Sequence, residues 1–432
     1  MQRNPVLDEL AWRGLLHQHT EGLADLLGRG PVSAYAGFDP TARSLHVGNL
    51  IPVMGLTHLQ RYGHRPIVLV GGGTGLIGDP SGRATERQLN THETVEENLR
   101  AIQSQLEHFL DFSGSNAARV MNNADWLVPL RAIDFMRDVG KHFTVNYMMA
   151  KESVRSRLEG GISYTEFSYM LLQAYDYLEL YRREGVRLQI GGSDQWGNIT
   201  AGTELIRRAA GGEAHALTLP LVTTASGTKF GKTAAGAVWL DPAETTPYRF
   251  WQFWINTDDR DASKYLRYFT LLPRETIEPL DRATSEQPER REAQLALANE
   301  VTTRVHGAEA ARVAAEVSGV LFGGTDPATL SLEALEALRG EMPFTDLEAA
   351  GAPALSRDDS RGVDVLELFV AARLVPSKGA ARRLLEQGGL YVNGRRLAAT
   401  DRHVGDDGLL PGRHLLLRKG AKDYALIRLR ER

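Results

Sequence analysis

Residues Ala34–Asn49 read AYAGFDPTARSLHVGN. An apolar run with strand character, Val32–Phe38, passes through the Asp39-Pro40 turn and enters a helical pattern that extends from Leu45 to Tyr62. The first turn of such a helix has free backbone N–H groups and the positive end of the helix dipole, and both favour phosphate. His46, Gly48 and Asn49 stand on that turn. The arrangement recurs: PIVLV (Pro66–Val70) runs into three glycines, and LQIGGSDQWGNIT (Leu188–Thr200) ends a strand at Gly191-Gly192 and opens a helix with Ser193, Asp194 and Gln195. Strand–helix alternation of this kind predicts an α/β fold, a Rossmann-type parallel sheet covered on both faces, with ligands at the carboxyl ends of its strands.

Outward from these segments, the periodicity predicts helices over Thr91–Asp111, Arg131–Gly161, Tyr164–Glu184 and Asp194–Ala210, and strands over Ala118–Met121, Val186–Ile190 and Ala216–Val222. From Pro247 only helices are expected, over 247–255, 262–269, 290–305 and 308–321. Residues 341–362 are rich in Pro, Ala and acids and read as a linker. The tail after it reads as two helices, a strand with an Asn-Gly turn and two closing strands, a small α+β domain. The expected division is therefore 1–225, a loop segment 226–246, a helical domain 247–340, the linker 341–362 and a tail domain 363–432.

The 432 residues, 42% hydrophobic and 24% charged, can supply more than one core. The absence of cysteine excludes disulfides, thiolate metal sites and a Cys nucleophile. There is no long apolar run and no signal-like start, so a soluble cytoplasmic protein with no membrane contact is expected. The net charge of −4 is unevenly placed: residues 356–432 hold 16 Lys and Arg against 10 Asp and Glu, leaving the first 355 residues at −10. A basic tail on an acidic body suits RNA contact through the tail, although a solvated surface has the same composition.

Several segments have residues suited to chemistry. In VGGGTGLIGDPSGR (Val70–Arg83) the spacing fits neither a P-loop nor a dinucleotide fingerprint, and Asp79 is a counter-charge for a ligand ammonium in an otherwise uncharged stretch. Tyr169, Gln173 and Asp176 line one face of an otherwise apolar helix, so they form either an internal polar network or a polar ligand site. Asp194 can cap its helix or accept from a ribose. In KFGKT (Lys229–Thr233) two lysines and a hydroxyl on a Gly-flanked loop suit a polyphosphate, whereas loop lysines commonly do nothing.

Taken together, HVGN resembles the HIGH signature and KFGKT the KMSKS signature of class I aminoacyl-tRNA synthetases. YAGFDPT, GLIGDPSG, YTEFSYMLLQAYDYL and QIGGSDQWGNI are similar to segments of the bacterial tyrosyl-tRNA synthetases, and the tail looks like their S4-type RNA-binding domain. The resemblance spans essentially the whole chain. It implies that Tyr35 and Asp176 bind the substrate phenol, and that Asp79, Tyr169 and Gln173 hold its ammonium. Asp39 and Gln195 would flank the amino acid and the α-phosphate, with Gln189 lining the pocket. Gly37, His46, Gly48, Asn49, Gly191, Asp194 and Lys232 would meet ATP. Thr41, His46, Lys229, Lys232 and Thr233 would stabilise the departing pyrophosphate, with Asn49 beside them.

The implied substrates are L-tyrosine, ATP with Mg2+ and tRNA(Tyr), with no protein-bound metal or prosthetic group. Tyrosine would pass through an adenylate to the terminal adenosine of the tRNA. Lys378, Arg382, Arg383, Arg395 and Arg396 would contact that tRNA, and helices 247–340 would lie at its anticodon region. Residues 131–160, with Phe135, Met136, Phe143, Tyr147, Met148 and Met149 at helical spacing, would form a homodimer interface; core packing is the plainer meaning of such a stripe. Four features depart from the family pattern: Asn49 in place of the second His of HIGH, Ala36 where many relatives carry Cys, Arg83 for Lys, which keeps the charge, and Thr233 for Ser, which keeps the hydroxyl. Competing readings are an RNA-binding protein without activity, a small-molecule adenylyltransferase and a tryptophanyl-tRNA synthetase. Asp176 in the Tyr169–Gln173–Asp176 face favours the phenol.

Overall fold

The structure is a computed structural model and describes residues 4–81, 91–155, 157, 160–228, 230–233, 236–347, 357–358 and 362–429. The chain packs into two compact units, one formed by 1–246 with 253–305 and the other by 247–252 with 306–432. The helices expected to form one domain from 247 to 340 are thus shared between the two.

The first unit is built on a six-stranded sheet: β1 (Gln18–His19), β2 (Ser33–Phe38), β3 (Arg65–Val70), β4 (Arg119–Asn122), β5 (Leu188–Gly192) and β6 (His215–Leu219). Their spatial order is β1-β6-β5-β2-β3-β4, and every pairing is parallel except that of β1 with β6. The chain leaves β2 toward β3 and β4, then returns to β2's other side with β5. Such a reversal opens a crevice beyond the carboxyl ends of the central strands. Register sets what faces it: Tyr35 on β2 lies beside Gln189 on β5 and Ile67 on β3, and laterally paired residues share a face of the sheet.

Four helices of this unit are used below: α1 (Pro5–Arg13), α2 (Leu50–Arg61), α3 (Tyr164–Glu184) and α4 (Trp196–Ala210). Helix α3 has the bounds read from the sequence because its ends are signalled chemically. The Ser163 side chain accepts from the Glu166 N–H, and Gly185 takes the left-handed C-cap conformation. Helix α2 begins five residues later than expected. His46 and Asn49 cap a separate 3₁₀ turn over Val47–Asn49 first, and that turn reorients the chain.

The helical stretches expected from 131 to 161 are, among the described residues, the short helices Ala132–Asp138, Val145–Met149 and Glu152–Arg155. Helix α1 and helix Arg274–Glu286 were not expected. The latter buries only Ile277 and carries Pro279 inside it, so no apolar period marked it.

In the second unit, helices Val365–Ala371 and Lys378–Glu386 cover a five-stranded sheet. Its order is Arg395–Arg396, Leu390–Val392, His414–Lys419, Asp423–Arg428 and Phe344–Asp346. The Asn393-Gly394 turn has positive φ at both residues, as a two-residue hairpin requires. Phe344–Asp346 lies in the stretch read as linker, yet it pairs in parallel with Leu426–Arg428. A three-residue strand paired across eighty residues leaves no local pattern.

Arg13 is 2% exposed and ties α1 to a distant turn of the same unit. Its guanidinium donates to Glu9 at 2.7 Å and to the carbonyls of Arg267, Thr270 and Leu272 at 3.1, 2.9 and 2.8 Å. Removing a buried, fully paired charge strands its partners. Arg13→Met should lower unfolding free energy by about 3 kcal/mol in urea melts; a loss under about 1 kcal/mol would show that the clasp contributes little.

Candidate active site

The crevice at the strand reversal is a cavity of about 940 Å³. It is lined by Tyr35, Gly37, Asp39, Thr41, His46, Asn49, Asp79, Tyr169, Gln173, Asp176, Gln189, Gly191 and Gln195. Thirteen residues singled out from four separate segments thus meet in one place. Gly48 and Asp194 lie outside the lining. Lys229 lies outside the described residues. Lys232 and Thr233 pair with Gly236 and Ala237 in a short hairpin, with their side chains outside the description. The five basic tail residues are exposed on the second unit, where Arg395 pairs with Asp401 and Lys378 with Glu367.

At the apolar end of the cavity Asp176 is 2% exposed. Asn123 Nδ2 donates to its Oδ2 at 2.9 Å and Trp126 Nε1 to its Oδ1 at 2.7 Å. Burial pushes the carboxyl up to about 7, while these two donors pull the other way. Tyr35 is fully buried and its hydroxyl has no hydrogen-bond partner among the described residues; the same holds for Gln189 Oε1. Burial, with Asp176 nearby, holds the Tyr35 phenol well above its usual value, so it is a neutral donor. A buried hydroxyl without a partner is costly unless a ligand supplies one.

Next to this lies a polar network. Tyr169 donates to Asp39 Oδ2 at 2.9 Å, Thr74 donates to Asp39 Oδ1 at 2.8 Å, and Asn123 donates to Thr74 at 2.9 Å. Gln195 Nε2 donates to Asp79 Oδ2 at 2.7 Å, and Asn198 Nδ2 reaches Gln173 Oε1 at 3.1 Å and Gln195 Oε1 at 3.2 Å. The glycine-rich turn has a packing cause: a Cβ on Gly71 would stand 2.1 Å from Asp39 Oδ1 and 2.5 Å from Thr74 Oγ1.

At the far end, His46 Nδ1 accepts from the Gly48 N–H at 3.1 Å, which leaves Nε2 as the protonated, donating nitrogen. Asn49 Oδ1 accepts from the His46 N–H at 3.0 Å. Asn49 therefore holds the histidine turn, and it does so with the oxygen that an imidazole in its place would lack.

The sequence reading passed over Thr74, Asn123, Trp126 and Asn198. A signal existed for Asn123: it directly follows β4, at the strand end where ligands of such sheets bind.

Comparison with known proteins follows the same line. Residues 28–323 match the family described as tRNA synthetases class I (W and Y), and residues 345–427 match the tyrosine–tRNA ligase SYY-like C-terminal domain. The chain is 52% identical to the tyrosine–tRNA ligase of Anaeromyxobacter dehalogenans (strain 2CP-1) over 425 residues, 98% of this chain and 99% of the relative. It is 54% identical to that of Bacillus caldotenax over 427 residues, with the same coverage. Among solved structures, the C-terminally truncated mitochondrial tyrosyl-tRNA synthetase of Aspergillus nidulans superposes with a TM-score of 0.66 at 30% identity, covering 73% of this chain and 94% of that one. A tryptophanyl-tRNA synthetase of Plasmodium falciparum, 14% identical with a TM-score of 0.51 over 70% of this chain and 84% of its own, shares the fold.

The chain belongs to the class I tRNA synthetases of the W and Y group and, within them, to the tyrosine–tRNA ligases. It is an aminoacyl-tRNA synthetase that uses ATP to join tyrosine to tRNA.

The Asp176 carboxyl sits far above its ordinary value, so the folded state holds its proton while the unfolded chain has already lost it. Stability should therefore fall as pH rises from the usual carboxylate range toward 7 and level off above. If a phenol binds at Asp176, its O–H donates best to the ionised form, and tyrosine affinity should then rise across the upper part of that window. Asn123→Ala removes a donor that favours the charge, and should move the midpoint of the affinity profile upward. An unmoved midpoint in equilibrium dialysis against pH would sink this account.

Proposed function

We propose that the buried end of the cavity recognises the phenol of L-tyrosine, with Asp176 accepting its O–H and Tyr35 donating to its oxygen. The observation that supports this most directly is the buried Tyr35 hydroxyl without a protein partner, in the same cavity as a carboxylate fixed by two donors. Asp79, Tyr169 and Gln173 take the substrate ammonium. Asp39 and Gln195 flank the carboxylate and α-phosphate, and Gln189 lines the wall. On the nucleotide side, Gly37, Gly48 and Gly191 offer backbone to ATP, and Asp194 accepts from the ribose. Thr41, His46, Asn49, Lys229, Lys232 and Thr233 balance the charge that develops on the β- and γ-phosphates.

The tyrosine carboxylate attacks the α-phosphorus. The bond to the bridging oxygen breaks, pyrophosphate leaves with the electron pair, and tyrosyl-adenylate remains. A hydroxyl of the terminal tRNA ribose then takes the acyl group and AMP departs. No covalent enzyme intermediate is required; the residues act by positioning and by meeting charge as it develops. Mg2+ enters as part of the ATP substrate, carried on its phosphates.

Phenylalanine in this pocket would leave the Tyr35 hydroxyl unpaired and deny Asp176 a donor beyond Asn123 and Trp126, at the cost of desolvated polar groups. Amino-acid-dependent ATP–pyrophosphate exchange should proceed with tyrosine and not with phenylalanine or tryptophan. Asp176→Ala should lower kcat/KM for tyrosine by about 100-fold or more. Exchange supported by tryptophan at a comparable rate would overturn the pocket assignment.

The protein is further proposed to act as a homodimer in the cytoplasm, with tRNA(Tyr) spanning both subunits. Lys378, Arg382, Arg383, Arg395 and Arg396 of the S4-like tail would bind that tRNA, and the helices from Pro247 would lie at the anticodon region. No helix among the described residues is long and apolar enough to cross a membrane. Support for the dimer comes from exposure: Val128, Ile133, Met136, Val145, Met149 and Tyr164 are six of the twelve exposed large apolar side chains among the described residues. Met148, by contrast, is buried, and Phe135, Phe143 and Tyr147 pack against the core. The expected stripe therefore divides between core and surface. Ile133→Glu with Met136→Glu should convert a dimer to monomers in sedimentation velocity; an unchanged mass would place the interface elsewhere.

A further inference from the structure

The second position of KFGKT is a residue that the phosphate chemistry does not use. Phe230 lines the cavity, yet its ring is buried among four others of the same unit. It stacks on Phe269 at 5.1 Å with an interplanar angle of 11°, and meets Tyr265, Phe253 and Trp254 at 4.9, 5.5 and 5.8 Å. Those rings come from helices Pro247–Ile255 and Asp259–Phe269.

The next residue, Gly231, has φ +77°, and a Cβ there would stand 2.7 Å from Val47 Cγ2. Its carbonyl accepts from the Val238 N–H at 3.0 Å, Val238's carbonyl accepts from the Val47 N–H at 3.0 Å, and Leu45's carbonyl accepts from the Leu240 N–H at 2.9 Å. The Trp239 ring lies 5.9 Å from that of His46. The base of the lysine hairpin is therefore pinned on one side in an aromatic nest and laced on the other to the segment that carries His46.

We propose that Phe230 and Gly231 are positioning residues: they hold the hairpin in register with the His46 turn, so that the lysines and His46 address the same phosphates. This rests on the reading of KFGKT given above as the pyrophosphate-side group. Lys232, on a two-stranded ribbon of two residues each, has no rigidity of its own, since such a hairpin is not stable alone. What fixes it is the ring at one end and the shared backbone bonds at the other. Gly231 fits because the left-handed conformation and the contact with Val47 both exclude a side chain.

The test uses the full chain in four variants: Phe230→Ala, Phe230→Met, Gly231→Ala and Lys232→Ala. Each is measured for pyrophosphate-exchange kinetics in ATP and for tyrosine affinity by equilibrium dialysis, and the first three also for the rate of trypsin cleavage after Lys229 and Lys232. Phe230→Ala and Gly231→Ala should lower kcat/KM for ATP by about 10–100-fold, speed cleavage, and leave the tyrosine Kd within about twofold. Phe230→Met, which refills the nest with an apolar side chain, should recover most of the loss.

If Lys232→Ala impairs the ATP-dependent step while Phe230→Ala moves neither ATP kinetics nor cleavage, the anchor is wrong and the lysine role stands. If Phe230→Ala weakens tyrosine and ATP equally, the nest is ordinary core and the proposal fails. If Lys232→Ala leaves exchange unchanged, the hairpin has no phosphate role and the underlying reading fails with it.

Discussion

Burying one carboxylate at the closed end of the cavity constrains much of what surrounds it. Asp176 without water needs donors, and they come from the end of β4: the Asn123 amide and the Trp126 indole. Asn123 is then committed on both sides. Its Nδ2 also reaches Thr74, and its Oδ1 accepts from the Gly73 N–H at 2.7 Å. Thr74 binds Asp39, and Asp39 binds Tyr169, which returns the network to the helix that carries Asp176. The ends of β2, β3 and β4 and the inner face of α3 are thus joined by one set of hydrogen bonds. A buried polar network of this kind rigidifies when every member is satisfied; in this one the satisfied members surround a Tyr35 hydroxyl that has no protein partner.

The same constraint explains why some of this was legible in the sequence and some was not. Helix α3 could be read with its bounds because an N-cap serine, an apolar face and a C-cap glycine all act locally. Tyr169, Gln173 and Asp176 could be read as a polar face because helical spacing places them together before any tertiary contact exists. Asn123 and Trp126 could not, because what makes them necessary is a carboxylate some fifty residues away that only the sheet brings near. The triple glycine was legible as a close approach of backbone, but the approaching group is the Asp39 side chain. Phe344–Asp346 and helix Arg274–Glu286 failed for a different reason: one is three residues long and the other is polar nearly throughout, so neither carries a period.

The two ends of the cavity are built on opposite principles, and the chemistry calls for both. Discrimination between a phenol and a benzene ring depends on leaving a wrong ligand's partners unpaired, which is effective only where water is excluded and the partners cannot turn away. Tyr35, Gln189 and Asp176, all nearly inaccessible and two of them on paired strands, meet that condition. A triphosphate differs, because its charge shifts outward as the α-phosphorus is attacked, and groups that meet it must reach the leaving oxygens without holding them in the ground state. In the proposed reading, backbone at Gly37 and Gly191, a histidine held by its own turn, and Lys232 on a short hairpin take that task.

Joining two such ends is then a matter of register. In the proposed reading the amino-acid end is fixed by the sheet, so the phosphate end must be fixed relative to the same sheet, or the carboxylate and the α-phosphorus would not align. His46 satisfies this directly, since its turn follows β2 and leads into α2. The hairpin has no such inheritance: it lies between β6 and the helix that starts at Pro247, and its own strands are two residues long. Its alignment has to come from contacts outside itself, and those the structure offers are the ring nest at Phe230 and the backbone lacing of Val238 and Leu240 to Leu45 and Val47. A segment too short to hold itself must borrow its geometry from neighbours, and here it borrows from the turn that carries His46, its partner in the proposed reading.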